Sequence, residues 1–148
     1  MRIPIASLTL FALLSLSLAA GAGEDIHGYW RLISQKCSAG EINIPLEFAT
    51  LFFDENGEGG QRIKFKECDL RSEFKYEVNG TSVSMSEGII MNQECSDGSF
   101  YVFRDFTETY NIVPDEKGEP TLTLTSVGAN CTDPLGVSTL RYQRIPQG

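Results

Sequence analysis

The sequence has only one histidine, His27, and no two cysteines in a CxxC spacing. Structural zinc sites take four cysteine or histidine ligands at short spacings, so the ligand pattern of such a site is missing. A Ser/His/Asp or Cys/His catalytic arrangement is not easily assembled around one histidine that precedes the first strand-like segment. We therefore expect a protein that is not an enzyme and that holds neither a metal nor a cofactor.

Positive charge is also scarce: 12 Lys and Arg residues stand against 20 Asp and Glu residues, which gives a formal net charge of −8. The field of such a chain repels nucleic acid and anionic membranes. We expect no nucleic-acid partner, and a cationic or neutral partner suits this charge better. Solubility alone also explains a net charge of this size, without any specific partner.

A long apolar run occurs only at the N-terminus, where residues 3–18 follow Arg2 and precede the small residues 20–22. A basic start, a short apolar run and small residues at a cleavage point are typical of a secretory signal peptide. The run is short for a membrane span of about 20 residues. We predict that residues 1–22 are a removed signal peptide. Residues 23–148 are then one secreted or periplasmic domain without a membrane anchor in its mature form.

No segment of the predicted domain keeps an apolar period of 3.6 residues, so few helices are expected. Runs with a period of two, rich in β-branched and aromatic residues, alternate instead with clusters of Gly, Asn, Asp and Pro. The runs predict eight strands at 29–36, 48–54, 61–66, 72–78, 82–91, 100–113, 121–126 and 138–145. The predicted fold class is all-β.

The links between the predicted strands alternate in length. Asn56-Gly57 and Asn79-Gly80 are tight-hairpin signals after the second and fourth strands, and residues 114–118 have the composition of a turn after the sixth. The links after the first, third, fifth and seventh strands are longer. This alternation predicts a small eight-stranded antiparallel up-and-down barrel with one tight end and one mouth surrounded by loops.

Four cysteines remain in the predicted domain: Cys37, Cys68, Cys95 and Cys131. An even number of cysteines in an exported chain indicates two disulfides. The cysteines follow the first, third, fifth and seventh strands, which all end at the mouth of an up-and-down meander. Closure of the barrel favours the pairs Cys37–Cys131 and Cys68–Cys95, and the pairing Cys37–Cys68 with Cys95–Cys131 stays open.

Two short segments carry a resemblance to a known family. Gly28-Tyr29-Trp30 opens the first strand with the only tryptophan, and the last strand ends in Leu-Arg-Tyr-Gln-Arg-Ile at 140–145. With eight meandering strands between them, the chain resembles the lipocalin-like proteins of the calycin superfamily, in their bacterial form. The resemblance implies that Trp30 packs at the closed base of the barrel under Arg144, as a structural pair. It also implies a barrel suited to apolar ligands.

Alternation along the strands decides which side chains face the barrel interior. The interior of an eight-stranded barrel is just wide enough to be filled by its own side chains or to hold one small ligand. Both outcomes stay open, because the predicted interior residues are mostly large. They are Leu32, Ser34, Ile63, Phe65, Phe74, Tyr76, Val83, Met85, Leu122 and Leu124.

The sixth predicted strand carries the one polar hypothesis about the interior. If Tyr110 and Ile112 face inward, strict alternation turns Glu108 inward as well. The same alternation extends to Phe106 and Arg104 unless a bulge intervenes. An inward Arg104 beside Glu108 would orient the polar group of a ligand near the mouth. A bulge that turns both charges outward is favoured, because unpaired charges are costly to bury.

We expect an exported, non-catalytic barrel that binds a small, mainly apolar ligand at its open mouth. The residues expected at this site are Arg104, Glu108, Ile44, Leu46, Phe65 and Tyr76. The alternative is a disulfide-braced protein-interaction or inhibitor module with a filled interior, whose partner contacts the mouth loops at 38–47, 92–99 and 127–137. The apolar residues of the first loop form a lid in one case and a contact patch in the other. They are Ile42, Ile44, Pro45 and Leu46. A void of about 300 Å³ or more beneath this loop favours the ligand, and a solid interior favours the interaction module.

Overall fold

The computed structural model describes residues 25–128 and 130–147, and within them the chain forms eight β-strands and no helix. The strands are β1 (Gly28–Cys37), β2 (Phe48–Phe53), β3 (Glu58–Phe65), β4 (Cys68–Asn79), β5 (Ser82–Cys95), β6 (Phe106–Pro114), β7 (Pro120–Val127) and β8 (Val137–Ile145). The all-β prediction is confirmed. No helix in the described part of the chain is long and apolar enough to cross a membrane. The predicted signal peptide, residues 1–22, lies outside the described residues.

The eight strands close into one antiparallel barrel, in which each strand pairs with its neighbours in the chain and β8 returns to β1. The ladder between β1 and β8 runs from Tyr29 opposite Ile145 to Cys37 opposite Ser138. The last strand therefore covers almost the whole of the first. The predicted eight-stranded up-and-down barrel is confirmed.

The two ends of the barrel differ in their links. At one end, three short turns place Gly57, Gly80 and Gly118 in the left-handed conformation that glycine adopts without steric cost. At the other end, the links after β1, β5 and β7 are long. The prediction of a long link after β3 is wrong, because Lys66 and Glu67 alone join β3 to β4. Lys66 takes the left-handed conformation there, with φ of +46°, so no glycine marked this hairpin in the sequence.

The strand β6 begins later than predicted. Residues 100–105 run beside β5 without a ladder, and the pairing of β6 with β5 covers only Phe106–Thr109 opposite Ser82–Met85. Past this ladder, β5 carries a bulge at Glu87 and Gly88, where its register against β4 shifts. A bulge bends a strand and increases its twist, so the far half of β5 leaves the direction of β6.

Large apolar side chains line the interior of the barrel from its base to its middle. Trp30, Val83 and Leu122 are completely buried. The predicted interior residues are buried or half-buried, with one exception: the prediction for Ser34 is wrong. A bulge in β1 after Leu32 reverses the alternation, so Ser34 faces solvent and Gln35 turns inward.

The base of the barrel is closed by the chain segment that precedes β1. The indole Nε1 of Trp30 donates a 2.8 Å hydrogen bond to the carbonyl of Ile26, which is itself buried. The guanidinium of Arg144 lies over the Trp30 ring, 4.5 Å from its centroid, and also donates to the carbonyl of Asp25. This is the stacked pair that the family resemblance implies, and a contact of this kind stabilises a fold by about 0.5–2 kcal/mol.

Two disulfides lie at the opposite end. Cys37 is bonded to Cys131 and Cys68 to Cys95, which is the pairing that barrel closure favours. The first bond ties the end of β1 to the segment before β8, and the second joins directly opposed residues of β4 and β5. Both bonds therefore brace the mouth.

Candidate ligand-binding site

The loop between β1 and β2 lies across the mouth of the barrel. Its residues Ile44 and Leu46 turn inward, whereas Pro45 between them is exposed. Inward and outward side chains alternate along this loop as they do in a strand. Its pairing with the rest of the sheet is limited to a single bridge between Ile42 and Cys131. The loop therefore presents two apolar side chains to the inside of the barrel, as a lid does.

Two side-chain amides hold this lid in place. Gln35 donates from its Nε2 to the carbonyl of Leu46 at 2.7 Å and accepts from the Leu46 amide at 3.0 Å. Asn130 does the same for Ile44, with distances of 3.0 and 2.9 Å. A primary amide offers a donor and an acceptor side by side, so each side chain replaces a strand partner for the lid backbone. Gln35 reaches this position because of the bulge in β1.

A third amide holds the segment 100–105 against β5. Gln93 donates to the carbonyl of Tyr101 at 3.2 Å and accepts from its amide at 2.7 Å. Tyr101 and Phe103 face inward, and the Phe103 ring covers Gly88 so closely that a Cβ there would lie 2.1 Å from it. Because Gly88 has no side chain, the Phe103 ring packs directly against the backbone of β5.

Beneath the lid lies a cavity of about 290 Å³ that opens to solvent, which we call the mouth cavity. Its walls are mainly apolar. The lining residues are Ile44, Leu46, Gln61, Ile63, Phe65, Leu70, Ser72, Ile90, Tyr101, Val102, Phe103, Arg104, Phe106 and Asn130. Three of the predicted site residues, Ile44, Leu46 and Phe65, therefore meet here, and Arg104 joins them at the rim.

A smaller cavity of about 120 Å³, the inner chamber, lies further into the barrel. It shares Leu46, Gln61, Ile63 and Phe106 with the mouth cavity, so the two volumes adjoin. Its other lining residues are Leu51, Met85, Glu108, Leu124, Leu140 and Tyr142. Apart from Gln61, the polar groups of the inner chamber are the Glu108 carboxyl and the Tyr142 hydroxyl.

The position of Glu108 corrects the expectation that a bulge turns both charges outward. Glu108 stays in phase with Tyr110 and Ile112 and faces the interior, where burial raises the pKa of its carboxyl to about 7. Burial also raises the pKa of the Tyr142 hydroxyl, and the nearby charge of Glu108 adds to this rise. Within the described residues, no hydrogen bond or ion pair reaches the Glu108 carboxyl. A half-buried carboxyl without a cationic partner is tolerated in this setting because it can be neutral.

Arg104 faces outward, as the favoured expectation predicts. The alternation breaks between Phe103 and Phe106, and Arg104 and Asp105 are both exposed. Arg104 therefore lines only the rim of the mouth cavity, and it forms no ion pair with Glu108 in the described part of the chain. The internal charge pair considered from the sequence is not formed.

Tyr76, which the sequence predicts at the site, lines neither the mouth cavity nor the inner chamber. Its hydroxyl donates to the carbonyl of Asp54 in the turn at the base, and its ring packs edge-on against Phe53 with centroids 4.9 Å apart. Burial, followed by the nearby charge of Asp54, raises the pKa of Tyr76 to about 12. The mouth cavity uses Leu70 and Ser72 of the same strand, so Tyr76 lies further along β4, towards the base.

Four amide side chains at the site are absent from the set predicted from the sequence. Gln61 has a signal in the sequence, because alternation in β3 places it on the same face as Ile63 and Phe65. The clamping amides are Gln35, Gln93 and Asn130. The sequence carries no signal for them, because their role depends on which distant segment of the chain lies beside each side chain.

The barrel wall has a gap beside Glu108. The pairing of β6 with β7 ends at Thr109 opposite Thr125, whereas β7 continues to Val127 against β8. A slot of about 390 Å³, the side slot, opens there. Its lining residues are Ser82, Phe106, Thr107, Glu108, Thr109, Thr125, Ser126, Val127 and Val137. Glu108 thus borders both the apolar inner chamber and a slot rich in hydroxyl groups.

No protein-family model matches the chain, and no match was found among curated proteins.

Proposed function

We propose that this chain is an exported, non-catalytic barrel that binds a small, mainly apolar molecule through its open mouth. The observation that carries the proposal is the mouth cavity of about 290 Å³ beneath the lid, with the inner chamber adjoining it. Small-molecule sites are concave, mainly apolar and begin at about 300 Å³. The void lies at this lower bound, so the ligand is small.

The way the mouth is held supports a preformed site. Three amide clamps fix the backbone of Ile44, Leu46 and Tyr101, whose side chains line the cavity. Two disulfides brace the ends of the neighbouring strands. A site that is ordered before binding avoids the entropy cost of ordering its loops when the ligand arrives, so even a small apolar contact area yields useful affinity.

Kinship with the lipocalin-like proteins is part of the proposal. It is supported by the closed eight-stranded barrel and by Arg144 over Trp30 at its base. Export is supported by the two disulfides, which persist in oxidising compartments.

The absence of catalysis is proposed on the placement of the reactive groups. His27 lies before β1 at the base, with Nδ1 2.7 Å from a carboxylate oxygen of Asp25. All four cysteines are in disulfides. In the described residues, no histidine or free thiol therefore lies beside Glu108 to share a proton transfer or a nucleophilic attack.

The proposal is tested with two neighbouring residues of β5 that face opposite ways. Ile90 lines the mouth cavity, and Ile89 points to solvent. We expect the wild-type protein to bind the neutral probe N-phenyl-1-naphthylamine in a fluorescence titration. Ile90→Trp fills the cavity and should weaken binding at least tenfold, whereas Ile89→Trp should leave it unchanged. Equal affinities of the two variants, or no binding by the wild type, contradict the proposal.

A second candidate function is protein binding at the rim of the mouth. It is favoured by Phe100 and Leu135, which are 79 % and 82 % exposed on two different mouth loops. Large apolar side chains exposed on loops are available to a partner, and exposed apolar patches mark interaction surfaces. If the rim is the functional surface, Phe100→Ser with Leu135→Ser should abolish retention of a partner on the immobilised protein and leave probe binding intact. Retention that survives both substitutions excludes this candidate.

A further inference from the structure

We propose that the ligand is an amine, with an ammonium group that pairs with Glu108 and an apolar body that extends into the mouth cavity. This inference rests on the proposed function and narrows its ligand class. It starts from the position of Glu108, where the inner chamber and the side slot meet.

Among the described residues, no lysine or arginine lines either of the two volumes that Glu108 borders. The remaining polar residues that line the inner chamber are Gln61 and Tyr142. An ionised carboxylate in such a place is costly unless a cation pairs with it. An ammonium group is a compact cation with hydrogen-bond donors and no acceptor, so it complements a carboxylate that lacks partners.

The same geometry disfavours an anionic ligand in the chamber. The head group of a fatty acid would meet Glu108 and raise the cost of ionising either group. Among the residues that line the mouth cavity, the basic one is Arg104, and its side chain is exposed at the rim. An anion would therefore bind with its head group at the rim. The net charge of −8 also favours the approach of cations over anions.

The two volumes fit the two parts of such a ligand. Leu46, Ile63 and Phe106 line both the mouth cavity and the inner chamber, and they give an alkyl or aryl body an apolar path between them. The side slot offers the hydroxyl group of Ser126, which shares the inner face of β7 with Leu122 and Leu124. Additional hydrogens of the ammonium group, or a water bound to it, have an acceptor there.

The test compares three probes with the same carbon chain: octylamine, octanol and octanoate, titrated by calorimetry at pH 8. We expect the wild-type protein to bind octylamine at least tenfold more tightly than octanol. Glu108→Gln should reduce this preference to threefold or less. Glu119→Gln is the matched control, because it removes the same charge from an exposed turn at the opposite end of the barrel.

The outcomes separate this inference from the proposed function. If octanol and octylamine bind equally to the wild type, the amine is wrong and the apolar site remains. If octanoate binds most tightly, the amine is also wrong and Arg104 holds the head group. If neither these probes nor N-phenyl-1-naphthylamine binds, the proposed function itself fails. The wild-type preference decides the matter even if Glu108→Gln does not fold.

Discussion

Ionisation of Glu108 should make the barrel less stable as the pH rises, and replacing this residue with glutamine tests the claim. Burial raises the pKa of the Glu108 carboxyl from 4.5 to about 7. Between these values the folded protein holds a proton that the unfolded chain has lost, so stability falls with increasing pH. The contribution is fully present below about pH 4.5 and is lost as the pH rises through about 7.

The magnitude follows from the difference between the two pKa values. At about 1.4 kcal/mol for each tenfold change in proton affinity, the rise corresponds to about 3 kcal/mol. This is an upper limit, because Glu108 also borders the side slot, through which water reaches it. Glu108→Gln keeps the shape of the side chain and removes its ionisation. The variant should therefore lose none of this stability between pH 4.5 and pH 8.

The assay is urea unfolding followed by the fluorescence of Trp30, the only tryptophan and completely buried. The free energy of unfolding of the wild type should fall by up to about 3 kcal/mol relative to Glu108→Gln between pH 4.5 and pH 8. Glu119→Gln, the matched control, should follow the wild type. Carboxyls with lowered pKa, such as Asp25 and Asp69, are common to all three proteins and cancel in the comparison. Parallel curves for the wild type and Glu108→Gln would refute the reasoning.

Three further predictions concern the parts that hold the mouth and the base. Gly88→Ala should lower the free energy of unfolding by about 1–3 kcal/mol, because its Cβ displaces the Phe103 ring; urea unfolding measures the loss, and a neutral effect contradicts the packing. Gln35→Ala should speed hydrogen exchange at the Leu46 amide but not at the Tyr101 amide, which Gln93 holds; equal protection in the variant and the wild type contradicts the clamp. Replacing Cys37 and Cys131 with serine should cost about 4–5 kcal/mol, against about 3–4 kcal/mol for Cys68 and Cys95, because the first pair closes a longer loop in the unfolded chain; the reverse order in denaturant unfolding contradicts this.

The barrel could be predicted from the sequence because its main determinants are local. Period-two apolar runs predict the strands, and Asn56-Gly57 and Asn79-Gly80 mark two of the hairpins. The hairpin through Lys66 and Glu67 was missed because a lysine occupies its left-handed position, and residue types do not reveal that conformation. The start of β6 was missed for a non-local reason, since the bulge at Gly88 directs β5 away from it.

The site was harder to predict than the fold. Ile44, Leu46 and Phe65 were found because they are apolar residues in a mouth loop or in the phase of a strand. Glu108 follows from the alternation with Tyr110. The cost of burying a charge argues against an inward carboxyl only if it is ionised, and burial raises the pKa of this carboxyl to about 7. The clamping amides depend on contacts between distant segments, which a periodicity cannot show.

Native mass spectrometry of the protein, purified from its own host, tests the central claim that the mouth cavity binds a small apolar molecule. We predict that the wild type and Ile89→Trp carry one bound small molecule, and that Ile90→Trp, whose side chain fills the cavity, carries none. A wild-type protein with no added mass, or a molecule retained equally by Ile90→Trp, would contradict the account.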